Sequence, residues 1–496
     1  MKTSFQFTTI VCATLLLAAG CTVGPDFKKP TAPNVGGYTP NPISETSSAT
    51  NIGGGGAQRF VEGQDISGEW WTLFHSKPLN DLIERSLTNN PDIKSAQAAL
   101  MVAKENVLAG KGAFYPNVSG SLSATRNKTS SEISPTPNSG AQYYSLFTPQ
   151  VSVSYALDVF GLNRRTVESL KAQQESARFQ LVATHITLSA NVVLAAIQEA
   201  SLRAQIDATR ELIGINSEMV QVLREQFAKG QATRLDVATQ ESQLAQTEAA
   251  LAPLLKQLAQ QRDLLSALSG GFPDEDLPEQ FELSDLQLPQ ELPVSLPSQL
   301  VEQRPDVRQA EENLHAASAQ IGIATANRLP NFTLTADAGT MALTAGKMFS
   351  GGAGFWDLGA SVAQPIFQGG TLLHQERAAK AAYTQAAEQY RSTVLTAFQN
   401  VADTLNALQQ DADALKSADD AANAAKVTLG LARQQIETGN SSHLDLLNAE
   451  QAYQQAVINL IQAQANRYAD TAALFQALGG GWWHRADLSN SENTKT

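Results

Sequence analysis

Two stretches of the chain, Leu162 to Lys229 and Thr371 to Thr438, contain no proline and are rich in Ala, Gln, Leu and Glu, the composition of long helices. At a rise of 1.5 Å per residue each would be roughly 100 Å long. Helices of that length cannot fold into one compact core, so they must find partners in a bundle, a coiled coil or a cylinder. Each runs up to a glycine, Gly230 or Gly439, followed by a short polar turn and a return helix that ends at "ALSGG" (from Ala267) or "ALGGG" (from Ala477). Pro253 is expected to kink the first return helix.

The pairing of these stretches belongs to a duplication. "NPDIKSAQAAL" at Asn90 is repeated as "RPDVRQAEENL" at Arg304, and 25 residues beyond each proline "YPNVSGS" matches "LPNFTLT". "REQFAKGQATRLDV" (Arg224 to Val237) pairs with "RQQIETGNSSHLDL" (Arg433 to Leu446). The unit is roughly two hundred residues, a domain-sized length. Each copy opens with a helix, since Asn90 suits a cap, Pro91 or Pro305 suits the first turn, and Asp92 or Asp306 favours the positive helix end. The helix stops near Lys111 or Arg328, just before Pro116 or Pro330.

There the period changes to two. In "NFTLTADAG", Phe332, Leu334, Ala336 and Ala338 alternate with Asn331, Thr333, Thr335 and Asp337, which is a strand with one apolar and one polar side. "NVSGSLSAT" repeats the pattern more weakly. "QVSVSYALDVF" (with Val151, Val153, Tyr155 and Leu157 on one side) and "FWDLGASVAQPIF" return the chain. Tyr143, Tyr144, Phe147, Phe355 and Trp356 gather where loop meets strand, as an interfacial aromatic girdle would, with ordinary hairpin packing as the alternative. Single-chain outer-membrane barrels begin at about eight strands. Four amphipathic strands cannot close one, and open edges are not tolerated in hydrocarbon. Two, three or four chains would have to pool about eight, twelve or sixteen strands.

The first twenty residues carry Lys2, the apolar run "IVCATLLLAA" and small residues before Cys21, the parts of a secretory signal. The run is too short to span a bilayer. "LAAGC" resembles a bacterial lipobox, with Ala18 where leucine is usual and Leu17 one place early; acylation of Cys21 is expected, with ordinary cleavage nearby as the alternative. Thr22 follows, and the absence of aspartate there implies outer-membrane sorting. Cys12 lies in the signal, so the mature chain has no internal disulfide. Net charge is −13, or −14 once the single positive charge of Lys2 leaves, so the chain offers no basic face for nucleic acid. The expected organisation is a signal at 1–20, an extended lipidated segment at 21–77 that wraps or dangles rather than folding alone, repeats at 78–271 and 296–480, a Pro- and acid-rich linker at 272–295, and a tail at 481–496.

The doubled "PD", the doubled "PN" before strands and the doubled "G....LD", over about 420 residues from Leu79, resemble the TolC-like outer-membrane efflux family in its lipoprotein branch, of OprM/NodT type. The resemblance implies a mixed α and membrane-β fold: a homotrimer whose twelve pooled strands form a barrel in outer-membrane lipid and continue into a long periplasmic barrel of helices. It further implies the outer-membrane duct of a tripartite efflux pump, working with a periplasmic adaptor and an inner-membrane transporter of the resistance-nodulation-division type. The same duct could serve type I secretion or metal-cation export. A lipid-anchored envelope scaffold is an alternative of another class, against which the four amphipathic strands argue.

No catalytic constellation, cofactor motif or metal motif is present: the six histidines are scattered, and there is no "HExxH", "GxSxG" or Walker loop. The paired turns at Gly230 and Gly439 suit left-handed helix caps. By the resemblance they are the periplasmic tip that meets the adaptor and narrows the tube, with Asp236 and Leu444 near the constriction and Asp445 and Asn448 just beyond. Some relatives lock this tip with a tyrosine and an arginine. Ile436 and Ser441 stand at those positions here, so that lock is absent.

Overall fold

The computed structural model describes residues 22–41, 43–49, 52–130, 143–275, 277–438 and 443–489. In chain order the main helices are α1 (Lys77–Asn89), α2 (Pro91–Lys111), α3 (Leu162–Ala228), α4 (Arg234–Leu268), α5 (Pro297–Gln303), α6 (Pro305–Ala326), α7 (Thr371–Glu437) and α8 (His443–Ala477). The strands are β1 (Arg59–Glu62), β2 (Asn117–Lys128), β3 (Tyr143–Leu157), β4 (Glu291–Val294), β5 (Asn331–Thr340) and β6 (Gly354–Ala363). Helices α3 and α7 have 67 residues each, and the return helices α4 and α8 have 35 each. Helix α4 is unbroken across Pro253. The chain divides into two units, one made of residues 1–30, 100–177 and 310–390 and the other of the remainder.

The first unit holds an antiparallel sheet of order β2-β3-β5-β6. Its two hairpins are joined by β3 and β5, which pair from Gln150 opposite Gly339 to Leu157 opposite Phe332. The register sorts every side chain by the pleat. On one face lie Val118 and Leu122, then Val151, Val153 and Tyr155, then Leu334 and Ala336, and finally Leu358 and Val362. On the other lie Ser119, Ser121, Ser152, Ser154, Thr335, Asp337 and Asp357, with the Ser152 hydroxyl donating to the Asp337 carboxylate. Among the described residues nothing covers the apolar face: Leu122 is 71% and Leu358 is 73% exposed. The aromatics expected at an interface divide between the two faces. Tyr143, Phe147 and Trp356 share the apolar face, whereas Tyr144 and Phe355, one residue out of phase, fall on the polar face.

Below the sheet the start of the described chain is clamped to α3 and α6. The Val23 amide donates to the Phe160 carbonyl at 3.1 Å. The buried Arg165 guanidinium donates to the Val23 carbonyl at 3.1 Å and to Asp26 at 2.7 Å. Gly24, at φ +91°, lies so close to Gly322 that a Cβ on Gly24 would stand 2.4 Å from the Gly322 Cα. Phe27 then stacks on His315 at 4.3 Å between ring centres.

In the second unit the two halves open in the same way. The Asn90 Oδ1 accepts from the Asp92 amide at 2.8 Å, while its Nδ2 donates to the Leu268 carbonyl at the end of α4 at 3.0 Å. The Arg304 guanidinium, at the equivalent place, donates to the Ala477 carbonyl at the end of α8 at 2.8 Å. "NPD" and "RPD" thus each fasten onto "ALSGG" or "ALGGG". Short helices α1 and α5, which the sequence reading did not separate, precede these junctions; α1 buries Leu79, Leu82, Ile83 and Ser86 as one stripe.

The extended N-terminal segment wraps and does not dangle, and the linker helps to hold it. Strand β1 of the N-terminal segment pairs in parallel with β4 of the linker, from Arg59 opposite Glu291 to Glu62 opposite Val294. The segment continues into Trp70, Trp71 and Phe74, all buried, with Trp70 stacked on Phe475 at 5.3 Å. "GGGG" is not a spacer: Gly54, at φ +74°, lies against the Tyr468 ring, and the Gly56 carbonyl accepts from the Arg467 guanidinium at 2.7 Å. Glycine permits that approach because a side chain would fill the gap. Gln58, fully buried, donates to the Pro289 carbonyl and the Thr471 hydroxyl. The tail is docked as far as Ser489. Trp482 donates to the Gln303 carbonyl at 2.7 Å, and Leu488 packs on Val182 and Ile186.

Arg467 also neighbours Asp411 of α7, which lies against Asp470. Burial, with the adjoining Asp470 carboxyl, pushes Asp411 up to about 7 against the pull of Arg467. A carboxyl raised above its ordinary 3.8 binds its proton more tightly folded than unfolded. Its contribution is therefore fully present at low pH and is lost as pH rises from about 4 to about 7. Thermal midpoints followed by far-UV circular dichroism should fall across that window, and Asp411→Asn should flatten the decline.

Candidate functional site

Of the residues singled out in the sequence, Gly230 and Asp236 stand at the first helix turn, and Leu444, Asp445 and Asn448 in the opening turns of α8. At the first, Gly230 adopts φ +74°. Its amide donates to the Phe227 carbonyl at 3.0 Å and the Gln231 amide to the Gln226 carbonyl at 2.8 Å, the paired bonds that close a helix through a left-handed residue. Helix α4 then begins with a reciprocal cap: the Asp236 amide donates to the Thr233 hydroxyl at 3.2 Å, and the Thr233 amide donates to the Asp236 carboxylate at 2.8 Å. Asp236 therefore has a structural task, and its half-buried carboxylate stays at the turn. Arg224 and Glu241 tie α3 to α4 at 2.6 Å just behind it.

Gly439 and Cys21 lie outside the described residues. Leu444 and Asp445 stand in the first turn of α8, Leu444 being 60% exposed, and Asp445 and Asn448 are exposed too. The side chain that packs the helix pair is Leu446, 1% exposed, which meets Leu429, Ala432 and Ala449 with Met219, Ile436 and Tyr453 around them. Leu444 is thus not a core residue of this chain. Its partner in the first copy, which sequence reasoning passed over, is Leu235, 74% exposed. The alignment of "RLDV" with "HLDL" carried that signal: Leu235 matches Leu444, Asp236 matches Asp445, and buried Val237 matches buried Leu446.

Behind this apolar pair the core turns polar. Gln240 of α4 donates to Asn216 of α3 at 3.1 Å and to Glu450 of α8 at 3.3 Å. Gln451 of α8 donates to Gln243 of α4 at 2.9 Å, and Asn216 donates to Thr247 at 3.2 Å. Burial pushes the Glu450 carboxyl above its ordinary range against the pull of Gln240 and Arg433. One oxygen of Glu450 and one nitrogen of Arg433 are buried without a hydrogen-bond partner. The contacts of Gln240 with Glu450 and of Gln451 with Gln243 join the first helix pair to the second, so a movement between the pairs must break or exchange them.

The described residues combine a sheet with an apolar face, helices of 67 and 35 residues and a capped helix turn, and show no catalytic grouping beside it. The sequence model of the outer membrane efflux protein family matches residues 82–271 and 296–480, and the chain belongs to that family. It is 30% identical to the toluene efflux pump outer membrane protein TtgF of Pseudomonas putida over 94% of this chain and 95% of that one. It is 28% identical to the probable efflux pump outer membrane protein TtgC of the same species, over 97% of both chains. Among solved structures it is similar to the outer membrane protein VceC of Vibrio cholerae, with 27% identity and a TM-score of 0.78 over 84% of this chain and 100% of that one.

The burial pattern separates the leucines by effect. Leu446→Ala should lower folding stability by about 2–4 kcal/mol, as for other buried leucines. Leu235→Ser and Leu444→Ser, changing exposed positions, should each stay within about 0.5 kcal/mol. Unfolding midpoints of the three variants, measured side by side, check this.

Proposed function

We propose that the chain is the outer-membrane duct of a tripartite efflux pump, a passive exit for small molecules. The relatives named as efflux pump outer membrane proteins match it nearly end to end. The observation that carries the reading is the sheet: four strands with one face apolar from Leu122 down to Val362, polar only at the loop end where Arg126, Lys128 and Ser145 lie, and with β2 and β6 at its edges. A ten-residue strand spans about 33 Å, and a tilt of about 45° brings that close to the 25 Å apolar band of an outer-membrane barrel. In the assembly proposed, β6 of one copy pairs with β2 of the next, three copies give a twelve-stranded barrel, and the polar face lines the lumen. Energy comes from an inner-membrane transporter of the resistance-nodulation-division type, reached through a periplasmic adaptor docking at the helix turns.

Within that reading Leu444 and Leu235 point an apolar ring at the axis, flanked by Asp236, Asp445 and Asn448, and the ring narrows the duct by excluding water. In planar bilayers the purified protein should form one oligomer by native mass spectrometry, a trimer. The double variant Leu235→Ser, Leu444→Ser should conduct several-fold more than the wild type at unchanged oligomer mass. Equal conductance would move the constriction elsewhere, and a folded membrane-inserted monomer would remove the pooled barrel.

Acylation of Cys21 is part of the same proposal. It is supported by the seat of the next residue, since Thr22 packs against Gly161 beside the end of β3, where an acyl chain on its neighbour would enter the leaflet. A radioactive fatty acid should label the wild type and not Cys21→Ser, with the variant still inserted through its barrel; equal labelling of both would refute acylation at this position.

A further inference from the structure

The helix end of the sheet carries a basic and aromatic patch that transport leaves without a task. Lys111 of α2, Arg164 and Lys171 of α3, and His315 of α6 line one open cleft of about 450 Å³ with Phe114 and Tyr115, a size suited to a small polar ligand. On a chain of net charge −13, this gathering of cations runs against the overall balance. Arg164 is fixed by Asp158, donating to its carboxylate at 3.2 Å and its carbonyl at 2.9 Å. Glu168, the acid of the cleft, is engaged by Arg165 at 2.7 Å and by the His315 ring at 3.1 Å. Lys111 and Lys171 are exposed, and among the described residues no carboxylate pairs with either.

The depth of the cleft is set by its neighbours. Tyr115, 72% exposed, leads directly into β2, whose Val118 and Leu122 begin the apolar face. Thr22, next to the cysteine expected to be acylated, packs on Gly161 just before Arg164. With the apolar face in hydrocarbon, the cleft lies where headgroups meet the first helical turns, the level at which tyrosine and lysine are favoured. We propose that it binds the phosphodiester headgroup of an anionic phospholipid in the leaflet facing the helices. Lys111 and Lys171 neutralise the phosphate, and Tyr115 sits beside the glycerol. The inference rests on the sheet being a lipid-facing barrel.

The test uses the full mature protein in vesicles of phosphatidylethanolamine and phosphatidylglycerol, with retained lipids counted by native mass spectrometry. At about 1 kcal/mol per lysine near a membrane surface, the double variant Lys111→Gln, Lys171→Gln should bind phosphatidylglycerol roughly 30-fold more weakly. The arginine pair at the same positions should retain it. Undiminished phosphatidylglycerol on the glutamine variant, with wild type and variant both inserted, overturns the lipid site and leaves the duct reading standing. Displacement of the lipid by excess inorganic phosphate overturns it too, by making the cleft a small-anion site. Failure of the wild type to resist carbonate extraction from the vesicles defeats the duct reading and this inference with it.

Discussion

The backbone hydrogen bonds along the outer edges of β2 and β6 govern everything else in this chain. Each unpaired amide or carbonyl placed in hydrocarbon costs several kcal/mol, and net folding stability is only about 5–15 kcal/mol. Even a few unpaired groups on a twelve-residue edge strand such as β2 would outweigh it. In the barrel proposed, the apolar face would meet lipid and the edges could not, and association edge to edge would satisfy both demands. The duplication suits that requirement. Because β3 of the first half pairs with β5 of the second, one chain supplies four contiguous strands with like ends, and successive copies can be added without a new kind of junction.

The N-terminal segment is held in two ways. Buried Ile66, Trp70, Trp71 and Phe74 anchor its far end, and polar contacts fix the strap before them: Arg165 on Asp26 and two carbonyls, Arg467 on the Thr46 hydroxyl and the Gly56 carbonyl, and Gln58 between Pro289 and Thr471. Buried guanidinium groups are costly unless their donors are used; the strap serves Nη2 of Arg467, while Nε and Nη1 are buried with no hydrogen-bond partner among the described residues. Removing the strap would leave Arg467 buried with fewer acceptors, so strap and helices stabilise one another. Glycine at 24 and 54 is required because both take positive φ at points of close approach.

What was legible in the sequence follows from periodicity. Long proline-free stretches, alternating strands and Gly-capped turns are local signals, and the helix ends at Ala228 and Glu437 fall within a residue of the expected Lys229 and Thr438. The strands β1 and β4 were not legible, since "RFVE" and "ELPV" are four residues each, too short for a period, and their partner lies more than two hundred positions away. At "GGGG" glycine marks close contact, which composition alone does not distinguish from a free spacer. The aromatic cluster was read by position alone, and a one-residue phase difference sent Tyr144 and Phe355 to the opposite face. At the turns the sequence located Leu444 and Asp236. Only burial could tell Leu444 from Leu446, because both are leucines two residues apart on one helix.

The layering behind the turns follows from a balance between strength and specificity. Helices as long as α3 and α7 could slide against their neighbours by a turn if leucine faced leucine throughout, because apolar packing is tolerant of register. An amide layer is not tolerant. Gln240 must meet Asn216 and Glu450, and Gln243 must meet Gln451, or four buried polar groups lose partners at about 1–3 kcal/mol each. Leu446 and Val237, buried between that layer and the turns, supply the cohesion. Leu235 and Leu444, two residues nearer the turns and on the opposite side of each helix, contribute nothing to it and remain exposed. Stability and register are thus met without the outermost leucines, which leaves them available for contacts between copies.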